Sequence, residues 1–278
     1  MSSALLEMRQ ICMEFPGVKA LHNVDLVLNR GEIHAIVGEN GAGKSTLIKI
    51  LAGVHRPSSG TILLDGQKVH ITAPHDALAR GIGVVYQDRA LVPFLTAEEN
   101  MLLGREPTRF GVLDRAAIKA RATDTLNMMG LSVPLDKPVS DMRAGDQQLV
   151  EIAKIVMLEP RIMVLDEPTA PLSRHEVEAL FSLLGRFRDR GIGIIYISHH
   201  LDEIFQIADT VTILRNGEVA ATGPTSSFTK ETMIRHMIDR DLKQQYVKET
   251  VEIGEEVLRV DNLTSSEAGI TDVSISVR

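Results

Sequence analysis

The chain has 278 residues, of which 44% are hydrophobic and 24% charged, and its formal net charge is −7. This composition suits one large packed domain or two small ones, excludes a disordered chain, and argues against a nucleic-acid partner, which needs a basic face. A single cysteine, Cys12, excludes an intrachain disulfide and points to a reducing compartment, most simply the cytoplasm.

No apolar run is long enough for a membrane-spanning helix. The start, Met1-Ser2-Ser3-Ala4, lacks the basic and apolar parts of a signal peptide. A role at a membrane is therefore expected to be peripheral.

In chain order, the pattern predicts strands at 5–8, 24–28 and 33–37, a helix at 44–52, then strands at 62–64 and 83–85. Helices follow at 97–103, 115–129 and 145–158, then a strand at 162–165, a helix at 174–190 and a strand at 192–197. A helix at 201–207, a strand at 211–214 and a helix at 230–240 close the pattern. Wholly apolar strands such as Ile162-Met163-Val164-Leu165 alternate with helices, which predicts a mostly parallel sheet covered on both faces. From about 88 to 142 the chain is helix-rich and broken by Pro93, Pro107, Pro134 and Pro138. With the next helix this predicts a helical subdomain at about 88–158, inserted in a domain spanning 1–240. Residues 241–255 are polar and charged, as a linker would be.

An internal echo sets the remaining organisation. Leu5-Leu6-Glu7-Met8-Arg9-Gln10-Ile11 returns as Val257-Leu258-Arg259-Val260-Asp261-Asn262-Leu263, and the stretch 21–28 returns at 270–277. Residues 256–278 are expected to be the first strands of a second, truncated copy of the domain.

Gly38-Glu39-Asn40-Gly41-Ala42-Gly43-Lys44-Ser45 follows an expected strand and opens an expected helix. Glycines at this spacing let the backbone curl until several N–H groups face one anion, and the helix adds its positive N-terminal end. Lys44 supplies a cation for β- and γ-phosphates, and the Ser45 hydroxyl a ligand for Mg²⁺; Thr46 extends the binding segment. Asp166 and Glu167 end a buried strand, where open α/β sheets place their ligands. Asp166 can hold Mg²⁺ through water and Glu167 can act as a general base, although an acidic pair there also serves as a helix cap.

The order of these motifs resembles the nucleotide-binding domain of ABC transporters. The resemblance implies an α/β fold: a P-loop NTPase core with a mostly parallel sheet, an antiparallel β subdomain and the inserted helical subdomain. It implies ATP and Mg²⁺ as ligands. Gln87, after Val84-Val85-Tyr86, matches the glutamine that reaches metal and water, and His199, after Ile197-Ser198, matches the histidine that senses the γ-phosphate. Glu167, His199 and Gln87 are then the catalytic set, and Ser45, Gln87 and Asp166 the metal set. Phe15 matches an aromatic that stacks on adenine, the alternative being a core phenylalanine.

The segment 15–21, the phosphate loop, Gly104-Arg105-Glu106-Pro107 and Tyr196-Ile197-Ser198-His199 are most similar to the double-domain ATPases of bacterial monosaccharide importers. That likeness implies ATP hydrolysis driving sugar import at the cytoplasmic face of the cell membrane. The implied partners are membrane-spanning permease subunits, a second nucleotide-binding domain and, indirectly, a sugar-binding protein. A soluble ATPase of the same superfamily is the alternative. The sequence departs from the family at the signature loop, usually Leu-Ser-Gly-Gly-Gln, which here reads Met142-Arg143-Ala144-Gly145-Asp146, with Arg143 at the serine position. Pro171 alters the loop after the acidic strand end. A nucleotide-binding half with impaired hydrolysis is therefore a third reading.

Overall fold

The computed structural model describes residues 4–87, 90–238, 254–265 and 269–278. These form two compact units, Met1–Asp239 and Arg240–Arg278. Residues 88–89, the last two of the expected closing helix and 241–253 of the expected linker lie outside the described residues.

The first unit begins with a long antiparallel hairpin, β1 (Ala4–Phe15) and β2 (Val18–Asn29), then β3 (Ile33–Val37) and α1 (Lys44–Leu51). Next come β4 (Ser59–Leu64), β5 (Gln67–Val69), α2 (Pro74–Ala79) and β6 (Ile82–Val85). The helix-rich stretch holds α3 (Ala97–Leu102), the small hairpin β7 (Thr108–Arg109) and β8 (Val112–Leu113), α4 (Arg115–Met129) and α5 (Ala144–Val156). The chain then returns through β9 (Ile162–Asp166), α6 (Arg174–Asp189), β10 (Gly193–Ile197), α7 (Leu201–Ile207), β11 (Thr210–Arg215), β12 (Glu218–Pro224) and α8 (Lys230–Met237). Every expected strand and helix has its counterpart. The hairpin strands run well past the expected stretches, and α2, β5, β7, β8 and β12 carry too few apolar residues for periodicity to reveal them.

Two sheets result. β2, β1, β4 and β5 make an antiparallel sheet, and β12-β11-β3-β10-β9-β6 a six-stranded one in which only the edge strand β12 runs antiparallel. The strands of the larger sheet divide their side chains between two cores, as the two-residue period of a strand requires. Ile33, Ala35, Val37, Met163, Leu165, Ile194 and Tyr196 face one core, shared with α3, α4, α5 and α6. Ile36, Ile162, Val164, Ile195 and Ile197 face the other, shared with α1 and the antiparallel sheet. Burial on both faces is why these strands read as continuous apolar runs.

The second unit is a hairpin, β13 (Leu258–Ser265) and β14 (Ile270–Val277). Its pairing repeats that of β1 and β2. Val260 pairs with Ile275 and Leu263 with Val273, with a bulge between; Met8 pairs with Leu26 and Ile11 with Val24, also across a bulge. Gln10 and Asn262 occupy the same place in each bulge with positive φ, and each donates its N–H to the opposite strand, to Asp25 at 2.7 Å and to Ser274 at 2.9 Å.

One buried ion at the start of β3 ties the sheet's lower edge together. Burial pushes the Glu32 carboxyl up, but hydrogen bonds from His34, Thr210 and the Asn29 backbone outweigh it and bring the value from 4.5 down to about 2. A carboxylate depressed in the folded state stabilises the protein above its unfolded pKa and loses that contribution as pH falls through the folded value. Glu32→Gln is expected to cost about 3 kcal/mol at pH 7, the energy of a shift of about two and a half pH units. The deficit should shrink as pH falls below about 4.5 toward 2, measured by urea unfolding across that range.

Candidate functional site

Four adjacent parallel strands end at one edge of the large sheet, and each is followed by a residue expected in the site. β3 leads into the phosphate loop, β10 into Ser198 and His199, β9 into Glu167, and β6 into Gln87. The register aligns Ile197 with Ile36 on one side and with Asp166 on the other, so the strand ends are level. Open α/β sheets bind ligands at this edge.

The loop before α1 has a shape that only glycine permits at two points. A Cβ on Gly38 would stand 2.3 Å from the Leu214 carbonyl oxygen, and one on Gly43 2.7 Å from Leu21 Cδ2. Gly43 is also the N-cap of α1, with φ 104°, and no side chain caps that helix. The first N–H groups of α1 are thereby left to face a ligand. Lys44 folds back over the loop, and its Nζ donates to the carbonyl oxygens of Gly38 at 2.7 Å and Glu39 at 3.0 Å.

Across from the loop stand the two acids. Burial and the neighbouring Glu167 charge raise the Asp166 carboxyl to about 6, with Lys44, Lys49 and a hydrogen bond from Ser45 opposing the rise. Burial likewise lowers the Lys44 ammonium, against the pull of Glu167 and Asp166. Glu167 adopts φ 49°, a conformation uncommon for a residue with a Cβ, and its N–H donates to the Ile197 carbonyl at 2.9 Å. Its carboxylate is gripped from both sides. His199 Nδ1 lies 3.1 Å from Oε1, and Gln87 Nε2 donates to Oε2 at 3.4 Å.

A cavity of about 640 Å³ unites these groups: Asn40 through Thr46, Gln87, Asp166, Glu167 and His199 line it. Val18, Lys19 and Ala20 of β2 complete the wall. They are site residues that the sequence reading missed, because 18–23 shows no apolar alternation; the glycine in Pro16-Gly17 was the available sign of a hairpin turn there. Phe15 is not among the lining residues; it is half-exposed, and its ring meets His55 edge-on with centroids 5.4 Å apart.

The segment Met142–Asp146 is also not part of this wall; it forms the entry to α5. Arg143 is the N-cap, and its guanidinium grips Asp146 with two bonds, Nε to Oδ2 at 3.0 Å and Nη2 to Oδ1 at 2.7 Å. Glu176 Oε1 lies 3.6 Å from the same Nη2. Gln147 holds the preceding turn through the carbonyls of Val139 and Met142, each at 3.0 Å. A planar fork on a carboxylate is the geometry arginine favours.

The sequence profile described as ABC transporter matches residues 21–170. The chain belongs to the ABC transporter family. Curated relatives include a ribose import ATP-binding protein of Burkholderia ambifaria, 46% identical over 93% of this chain and 52% of its own length. Another, from Rubrobacter xylanophilus, is 44% identical over 99% of this chain and 55% of its own length. The chain thus spans about half the length of the curated relatives it matches. Among solved structures, a Clostridium perfringens protein described as part of an ABC transporter complex gives a TM-score of 0.70 at 28% identity, covering 84% of this chain and 93% of that one. A dimeric ATP-binding cassette in a post-hydrolysis state, bound to ADP and Pi, gives 0.70 at 25% identity, covering 80% of this chain and 100% of that one. The P-loop NTPase fold expected for an ABC cassette is the one present.

The tight packing at Gly38 yields a direct test of the loop. Gly38→Ala should lower stability by roughly 1–3 kcal/mol, the usual cost of overpacking a rigid site. A urea-unfolding midpoint equal to that of the parent would show that the loop yields without strain.

Proposed function

We propose that this chain is the ATP-binding and ATP-hydrolysing part of a membrane importer for a monosaccharide. The observation that carries the reading is the convergence of the phosphate loop, Asp166, Glu167, Gln87 and His199 on one cavity. The phosphate-loop N–H groups and Lys44 bind the β- and γ-phosphates, with the adenosine end toward Val18, Lys19 and Ala20 or Phe15. Glu167 orients water for in-line attack, while His199 and Gln87 hold its carboxylate and report on the γ-phosphate.

The donor set fits Mg²⁺. Ser45, Asp166 and the Gln87 amide oxygen are hard oxygen donors that could hold this ion directly or through its water, with phosphates supplying the rest of its shell. Among the described residues no group of three His, Cys, Asp or Glu could hold a metal by itself, so the nucleotide would have to complete the site. Bound Mg²⁺ supplies charge neutralisation on the phosphates.

The ribose-import names of the relatives support a pentose or hexose as cargo. No helix among the described residues is long and apolar enough to cross a membrane, so permease subunits would supply the path and this chain would sit peripherally at the cytoplasmic face. A sugar-binding protein would act indirectly. The dimeric relative supports a second nucleotide-binding domain facing this one. The shared bulge and register of the two hairpins supports residues 256–278 as the first strands of such a domain, after a linker at 241–255. ATP binds the closed pair better than the open one, and hydrolysis releases the pair, a population shift that moves the permease.

Lys44→Ala tests the site. It removes a charge-assisted contact worth roughly 1.5–3 kcal/mol, so ATP affinity should fall about tenfold or more by calorimetry. Equal affinity would rule out this loop as the binder.

A second reading is motivated by Arg143. It stands where the family's signature loop has a serine, and its guanidinium is engaged with Asp146. This supports a full-length protein with two unequal composite sites, the one completed by Arg143 holding ATP without turning it over. In a single-turnover assay on the full-length protein, Arg143→Ser should raise the rate and lower the fraction of occluded ATP. If both stay unchanged, the asymmetry is absent.

A further inference from the structure

Behind the Glu167–His199 pair lies a carboxylate that neither the sequence motifs nor the proposed chemistry uses. Glu203 sits in the first turn of α7 and accepts three hydrogen bonds from side chains. Thr169 Oγ1 donates to Oε1 at 2.8 Å, while Tyr196 OH at 2.8 Å and Ser198 Oγ at 2.7 Å both donate to Oε2. Ser198 in turn accepts the His200 N–H at 3.0 Å. All three donors are buried, and Tyr196 is wholly so.

The placement of these donors matters more than their number. Thr169 is two residues beyond Glu167, on the loop that leaves β9. Ser198 is the residue before His199, on the loop that leaves β10. His199 is bracketed, since the residue before it and the N–H after it share the Ser198 hydroxyl. Glu203 therefore joins two loops whose working side chains meet on the far side, at the 3.1 Å contact of Glu167 with His199. Besides that contact, the loops are linked there by the Glu167 N–H to the Ile197 carbonyl. A carboxylate accepting three hydroxyl protons in a partly buried site is a stiff connection, because each hydroxyl would be left without its acceptor if the loops moved apart.

We propose that Glu203 is a positioning residue that sets the geometry of Glu167 and His199 by fixing the loops after β9 and β10 to one another. It is not among the residues that line the cavity. The inference rests on the hydrolytic reading of the site. It predicts a loss in the chemical step with nucleotide binding left intact, because the phosphate loop and Lys44 lie on another strand end.

The test uses the full-length subunit and its ATPase rate, with nucleotide affinity measured separately. Glu203→Ala is expected to lower kcat about tenfold or more, the scale of misplacing a catalytic group, and to leave ATP affinity within about twofold of the parent. Glu203→Gln, whose carbonyl can still accept from Tyr196 and Ser198, should recover most of the rate. In a His199→Ala background, Glu203→Ala should add little, since residues acting through one another are not additive. If Glu203→Ala destabilises the fold, Thr169→Val and Ser198→Ala carry the same comparison, each cutting one loop from the carboxylate. A parental kcat in Glu203→Ala, or a loss that multiplies with that of His199→Ala, overturns the positioning role. Lys44→Ala in the same assay reports on the hydrolytic reading separately: if it stays fully active, the site itself has been misread.

Discussion

Lys44 faces two carboxylates across the end of a buried strand, and the rest of the site is organised around that opposition of charge. Burial raises the cost of ionising Asp166, and the neighbouring Glu167 charge raises it further. The ammonium of Lys44 opposes the cost for Asp166, and the Ser45 hydroxyl adds a bond. Neither side is comfortable alone, since burial also weakens the charged form of the lysine. Polyphosphate with a divalent cation would resolve both imbalances together. It would bring negative charge to the lysine and positive charge to the acids.

That opposition depends on the level ends of β3, β10, β9 and β6, and their levelness depends on two cores. Each strand gives alternate residues to the helical layer and to the layer of α1 and the antiparallel sheet. A slip by one residue would exchange the faces and would shift Asp166 and Glu167 relative to the phosphate loop. The packing that stabilises the sheet therefore also aligns the chemistry. The helices of the inserted stretch share the first core through residues such as Met101, Ile118 and Leu149, so they are anchored to the sheet that holds Glu167.

Much of this was legible in the sequence, for physical reasons. Strands buried on both faces read as apolar runs, and the glycine spacing of the phosphate loop has no common structural use beyond an anion cradle. Asp166 and Glu167 could be paired with that loop because both follow such strands. Less legible was whatever depends on pairing across the chain. β1 and β2 are long because they hold each other, and their outer halves alternate too weakly to be seen. Lys19 and Ala20 enter the cavity only through that pairing. In the sequence nothing singles out Glu203, one of two acids in the first turn of a short helix. Its three donors come from Thr169, Tyr196 and Ser198, and no spacing rule connects them.

The contact of Gly145 with Pro171 bears on how this segment can vary over generations. A Cβ at Gly145 would stand 3.0 Å from the Pro171 carbonyl oxygen, so a larger residue there needs the loop to give by a few tenths of an ångström. Met142 and Asp146 are buried, whereas Arg143 and Ala144 open to solvent. A side chain at either outward position meets little steric resistance, and an arginine at 143 also supplies the fork that the buried Asp146 carboxylate needs. The arginine at the second of these five places is a change that selection for folding alone would let pass. Only a requirement imposed from outside the chain, by whatever faces that loop, could remove it.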